Sequence, residues 1–163
     1  MNDVYQHPLY ASYETVQMFK KQYEDFAASE EFNEVDELLK PHLPILNVHN
    51  DIATRYCCSG HFEEDDEPEH SERFYILFSC TKNGKDILEN VVARFIHEFG
   101  HRNAAERQIE FSSFMDIRYV RPHWCFSVCS TQRQQSYTID LFMRIWNEQI
   151  IDSLPHFHPL RKG

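Results

Sequence analysis

Arg73-Phe-Tyr-Ile-Leu-Phe-Ser-Cys-Thr81 is the stretch on which the fold turns. Its apolar run is nearly unbroken and too short for a helix, which predicts a strand buried on both faces. Downstream, Asn83-Gly84 predicts a chain turn and Asp86 an N-cap. Ile87, Leu88, Val91, Val92, Phe95, Ile96 and Phe99 then share one helical stripe that stops at Gly100, a helix terminator. Upstream, Ile52-Ala-Thr-Arg-Tyr-Cys-Cys-Ser-Gly-His61 is a run of β-formers, richest over Thr54–Cys58, that breaks at Ser-Gly-His.

Further out the signals are equally local. Arg107–Phe114 predicts a strand, and so does His123–Ser130, where Trp124, Phe126 and Val128 alternate with Cys125, Ser127 and Cys129. A last helix from about Ser136 to Leu154 presents Ile139, Phe142, Met143, Trp146, Ile150 and Leu154. Near the start, Ser12 to about Ser29 reads as a helix whose stripe is Val16, Phe19, Tyr23, Phe26 and Ala27. A shorter helix is expected from Glu31 to Lys40, ending at Pro41, while Leu43–His49 reads either as a helical turn opened by Pro44 or as loop.

The order α-α-β-β-α-β-β-α predicts an α+β fold in a single domain over 1–163. A helical part at 12–40 leads into a core at 52–154, built on a four- to five-stranded, mostly antiparallel sheet covered by helices. A loose tail is expected over 155–163.

Thirteen Phe and eight Tyr need an interior, which excludes a disordered chain. The formal charge of −10 repels duplex DNA at long range, so no non-specific DNA partner is expected. The acidity is uneven: Glu63-Glu-Asp-Asp-Glu-Pro-Glu69 is a solvated acidic loop, whereas Arg118, Arg121 and Arg133 lie in an acid-poor stretch. Five cysteines without small-scaffold spacing point to reduced thiols. No apolar run reaches the ~20 residues of a membrane span, and no signal peptide is read. A cytoplasmic protein is therefore the expectation.

Chemistry concentrates at two places. After a strand, Ser59-Gly60 leaves backbone N–H groups free and allows close approach, a nest for phosphate or carboxylate. Thr54, Cys58, Ser59, Gly60 and His61 are the candidate ligand contacts there, with Arg118, Arg121 or Arg133 adding charge. Cys58 and His61 also have zinc half-site spacing, with His70, Cys80, Cys125 and Cys129 available to complete it, or nucleophile–base spacing. The second place is His97-Glu-Phe-Gly-His101, the H-E-x-x-H pattern of zinc hydrolases, in which Glu98 would activate metal-bound water. Against it, His97 lies opposite the apolar stripe, and a helix end at Gly100 would carry His101 off its line.

Ala53-Thr-Arg-Tyr-Cys-Cys-Ser-Gly-His61, followed by a loop and Phe74-Tyr-Ile-Leu-Phe78, resembles the Thr-x-Ser-Ser-Cys-Ser-Gly-Arg signature of the tRNA wybutosine-pathway methyltransferase family. It is also similar to uncharacterised phage and bacterial proteins with Cys-Ser/Glu-Gly-His before a Tyr-Ile-x-Phe strand. The likeness spans about residues 52–80, with an echo at Trp124–Val128. It implies Thr54, Cys58, Ser59 and Gly60 as shared site positions, methyl transfer on a tRNA nucleoside, or a phage accessory role. His61 stands where the family has Arg, and Tyr56-Cys57 where it has two serines.

The leading expectation is thus a domain that binds a small anionic ligand, such as a nucleotide, at Thr54–His61, or sequesters a host protein. The alternatives are a zinc-dependent hydrolase at His97, Glu98 and His101, a methyltransferase-like protein, and an acidic protein that blocks a basic partner. No cofactor is favoured, and zinc enters only through His97 and His101 or Cys58 and His61.

Overall fold

The computed structural model describes residues 10–103, 109–116, 121–151 and 154. The expected tail and Arg118 lie outside these residues, as do the side chains of His101 and Arg121. Helix α1 (Tyr13–Ala27) and the one-turn α2 (Leu43–Leu46) precede a hairpin of β1 (Ile52–Cys58) and β2 (Ser71–Cys80). Then come α3 (Lys82–Asn103), β3 (Ile109–Asp116), β4 (Arg121–Thr131) and α4 (Gln135–Gln149). The expected α+β class holds and the element order roughly so; the described residues form four strands, each antiparallel to its neighbours, in the order β1-β2-β4-β3. β2 and β3 therefore run parallel, and β4, the last strand made, fills the gap between them.

Strand alternation divides the core. Phe74, Ile76, Phe78 and Cys80 of β2 and Phe126 and Val128 of β4 point to one face, where they meet α3 and α4. Phe126 sits 4.9 Å from Phe142 and 5.1 Å from Phe95, ring centroid to centroid, so strand and helix rings interlock. The Trp146 indole lies on Phe78 at 5.7 Å and donates its N–H to Ile45 O at 3.2 Å, which fastens α2 to α4.

Among the described residues the opposite face is covered only by α1, at one end. Ala11, Val16, Phe19 and Ala53 form a small separate cluster there, with the Phe19 ring 5.7 Å from that of buried His123. The two-sided burial expected for β2 is accordingly met from Ile76 to Cys80 and lost toward Ser71.

Three local expectations change. The helix expected over Glu31–Lys40 is a 3-10 turn at Glu30–Glu34 followed by irregular chain, because Val35 is extended (φ −67°, ψ 146°) and Asp36 accepts the Leu38 N–H at 3.0 Å. α3 starts at Lys82 rather than behind a turn: Thr81 Oγ1 accepts the Gly84 N–H at 3.1 Å and so caps the helix in place of Asp86. Gly84 is needed for space, since a Cβ would stand 2.3 Å from the Asp51 carbonyl oxygen. At the other end α3 runs through Gly100 to Asn103. His97 and His101 are therefore one turn apart on a continuous helix, contrary to the expected break.

A candidate ligand cleft at the edge of β1

The Ser59-Gly60 turn has the shape a nest requires. Gly60 adopts φ 100°, and a Cβ there would meet Glu72 Cβ at 3.0 Å. Its donors, however, are spent within the chain. The Asp36 carboxylate accepts the Ser59 N–H at 2.7 Å and the Ser59 hydroxyl at 2.5 Å, so an anion already sits in the nest, and that anion is the protein's own. Gln135 donates to the Ser59 and Gly60 carbonyls at 2.8 and 3.2 Å, which ties the turn to α4. Ser59 is 2% exposed.

Thr54 is similarly engaged. Its N–H donates to Asn47 Oδ1 at 2.9 Å, and its hydroxyl accepts from Asn47 Nδ2 at 2.8 Å. One side chain thus serves a stretch of strand edge that has no neighbouring strand among the described residues. Lys20 does the same for the preceding turn, donating to the carbonyls of Asn47, His49 (2.9 Å) and Ile52 (3.2 Å). Burial lowers its pKa, opposed by Glu24 and Asp51.

Between these two plugs the edge of β1 opens into a cleft of about 600 Å³, which also takes in Thr54, Cys58 and His61 from the expected site. Tyr23 and Phe26, from the end of α1, form one wall. Tyr56 and Tyr75, from the strands, form another, and Glu34 and Asp36 stand on the rim. The positive group is Arg55, whose guanidinium lies 3.8 Å from the centroid of Phe19 and 5.6 Å from that of Tyr56. Arg55 shares the α1 side of the sheet with Ala53, two residues before it, and the register shift between Thr54 and Tyr56 brings Tyr56 to that side as well. Burial raises the pKa of both the Tyr23 and Tyr75 phenols, so they remain hydrogen-bond donors at neutral pH.

These wall residues escaped the sequence reading for a physical reason. Tyr23 and Phe26 continue the apolar stripe of Val16 and Phe19, yet only the first half of α1 rests on the sheet. Where the helix overhangs β1, the same stripe lines a cleft. The signal that could have shown this is the shift from Val and Phe to Tyr along the stripe, since a phenol suits a half-wet wall.

The remaining candidates do not converge. Cys58 Sγ accepts the Gly60 N–H at 3.4 Å. Cys57 faces the core, where burial pushes its thiol up to about 12. Cys80 is buried on the helical face of the sheet, and His70 Nε2 lies 2.5 Å from Glu72 Oε2. Arg133 is exposed and lines neither this cleft nor the neighbouring groove. On α3, His97 is exposed, and Glu98 is held by Arg144 at 3.1 Å and Arg94 at 3.8 Å. Among the described residues no group of three His, Cys, Asp or Glu side chains gathers to hold a metal, and no helix is long and apolar enough to cross a membrane.

Charge is distributed as unevenly as the sequence implied. Residues 10–72 carry sixteen acids against four basic side chains, a net −12. Glu34, Glu37 and Glu63 face one another across a second groove of about 520 Å³ beside the Ser59 turn. Comparison with family models, with curated proteins and with solved structures finds no match to this chain.

Proposed function

We propose that this domain binds a small ligand with a planar ring and little negative charge, a nucleoside or nucleoside monophosphate, in the cleft at the edge of β1. One observation carries the reading: four aromatic side chains, Tyr23, Phe26, Tyr56 and Tyr75, surround a volume in the middle of the ~300–1,000 Å³ range of small-molecule sites. Stacking on such rings is worth about 1–3 kcal/mol per base and tolerates any base. Glu34 and Asp36 on the rim suit hydroxyl donors, such as those of a ribose. The ligand expected from sequence keeps its place but loses charge, because Asp36 fills the anion nest and the surrounding surface is acidic.

The test is thermal unfolding with millimolar nucleosides, monophosphates and triphosphates. Nucleosides and monophosphates should raise Tm, triphosphates least. At a hundred times Kd the gain is about 2.7 kcal/mol. Tyr56→Ala should remove the shift while leaving the free protein's Tm unchanged, since Tyr56 is 46% exposed. Equal silence from all nucleosides and nucleotides at millimolar concentration ends the reading.

A second reading draws on the groove faced by Glu34, Glu37 and Glu63, where the acidic segments 30–37 and 63–69 meet. That arrangement favours a basic protein partner steered by charge. Reversing the charges of Glu63, Glu64, Asp65 and Asp66 should then abolish capture of a basic protein, and Tyr56→Ala should not.

A further inference from the structure

Which groups would read the ligand's ring follows from the strand register. The Thr54 N–H points away from β2, to Asn47, and the Ser59 N–H points away as well, to Asp36. In an antiparallel pair, outward-facing residues alternate with those bonded to the neighbouring strand. The register pairs Tyr56 with Leu77, Cys57 with Ile76 and Cys58 with Tyr75, and the irregularity at Arg55 shifts the alternation by one. Cys57 is therefore the outward residue between the two plugs, with its N–H and C=O both aimed along the sheet plane.

That direction is into the cleft. Side chains from both faces of the sheet line it, Tyr56 and Tyr75 from one and Cys57 from the other, so the cleft lies edge-on to β1. By this alternation the main-chain groups of Cys57 are directed away from β2, like the Thr54 and Ser59 N–H groups that Asn47 and Asp36 serve on either side. An added peptide strand would need several consecutive outward residues. Here there is one, which fits a single flat ring and not a chain.

We infer that the Cys57 N–H and C=O form a donor–acceptor pair that recognises the hydrogen-bonding edge of a heterocycle, a ring carbonyl or nitrogen accepting and the adjacent N–H donating, while the tyrosines flank its faces. This rests on the ring-binding reading above and adds to it the ligand feature that must be present: an unblocked edge with an acceptor beside a donor. The Cys57 side chain lies between the core and the cleft wall, and the recognition assigned here is that of its main chain.

The experiment uses [15N]cysteine-labelled protein, whose five cysteine amides are few enough to follow singly. The Cys57 signal is assigned by its loss in Cys57→Ser, which keeps the main chain. Uridine and guanosine should move the Cys57 amide downfield and slow its exchange. Their edge-blocked forms, 3-methyluridine and 1-methylguanosine, should bind at least tenfold more weakly. Saturable binding of uridine or guanosine with the Cys57 amide unmoved, or methylated forms binding within twofold, overturns this inference and leaves the ring-binding reading standing. If no nucleoside moves any cysteine signal or the Tm, both fall together.

Discussion

Cys125 and Phe126 are neighbours on β4, yet they belong to different parts of the molecule. Phe126 is fully buried among rings from β2, α3 and α4, while Cys125 is half-exposed on the face that α1 leaves uncovered. The difference teaches where constraint lies. The helical face is interlocked ring against ring, so its residues serve stability. The β1 edge is held by individual polar links, namely Asn47, Lys20, Asp36 and Gln135, and borders the cleft.

The largest expected effect tests the sealed face. Phe126→Ala should cost about 3–5 kcal/mol in urea unfolding, because the surrounding rings cannot close the void. Next comes the strand edge: Asn47→Ala orphans the Thr54 N–H and hydroxyl and should cost about 1–3 kcal/mol. Cys125→Ala, one residue from Phe126, should stay within about ±0.5 kcal/mol. If the two β4 variants cost the same, the contrast between the faces is wrong.

The smallest effect is one of pH, and it sharpens the account of the edge. Burial lowers the His49 pKa, with Lys20 adding to the shift and Asp51 opposing it. His49 is thus neutral in the fold at a pH where the unfolded chain already binds a proton. Its contribution is complete above the unfolded value of ~6.5 and is lost as pH falls from there through the folded value. His49→Gln should therefore flatten the fall in urea midpoint between pH 7.5 and 5. A slope identical to that of the parent protein would remove His49 from the account.

The parts of the fold that the sequence reveals are those in which periodicity and burial agree. The stripe from Leu88 to Phe99 is read correctly because one face of α3 meets a flat sheet, and the run around Phe78 because both of its sides are covered. Where a distant group overrides a local pattern, the reading fails. Phe32, Val35, Leu38 and Leu39 are spaced for a helix, yet the Asp36 carboxylate joins Ser59, 23 residues away, and the chain there stays extended or turned. Asn83-Gly84 looks like a turn because nothing nearby shows that the Asp51 carbonyl will lie where a Cβ would go.

The candidate site was half legible for the same reason. The strand end at Thr54–His61 does open onto the cleft, but the residue types that suggested an anion nest carry no sign of the carboxylate that fills it. Tyr56 joins Arg55 beside the cleft only through the register shift, which the residue types of β1 do not signal.

The position of β4 has a consequence for how the chain is made. β2 is complete at Cys80, but its partner strand ends only at Thr131, about 50 residues later. At roughly 5–20 residues per second, the inner edge of β2 and the apolar side chains beside it wait about 3–10 seconds on the ribosome for their cover. α3 and β3 emerge during that interval. A helix that already carries its own stripe of rings can shelter Phe74, Ile76 and Phe78 before the strand meant to lie beside them exists.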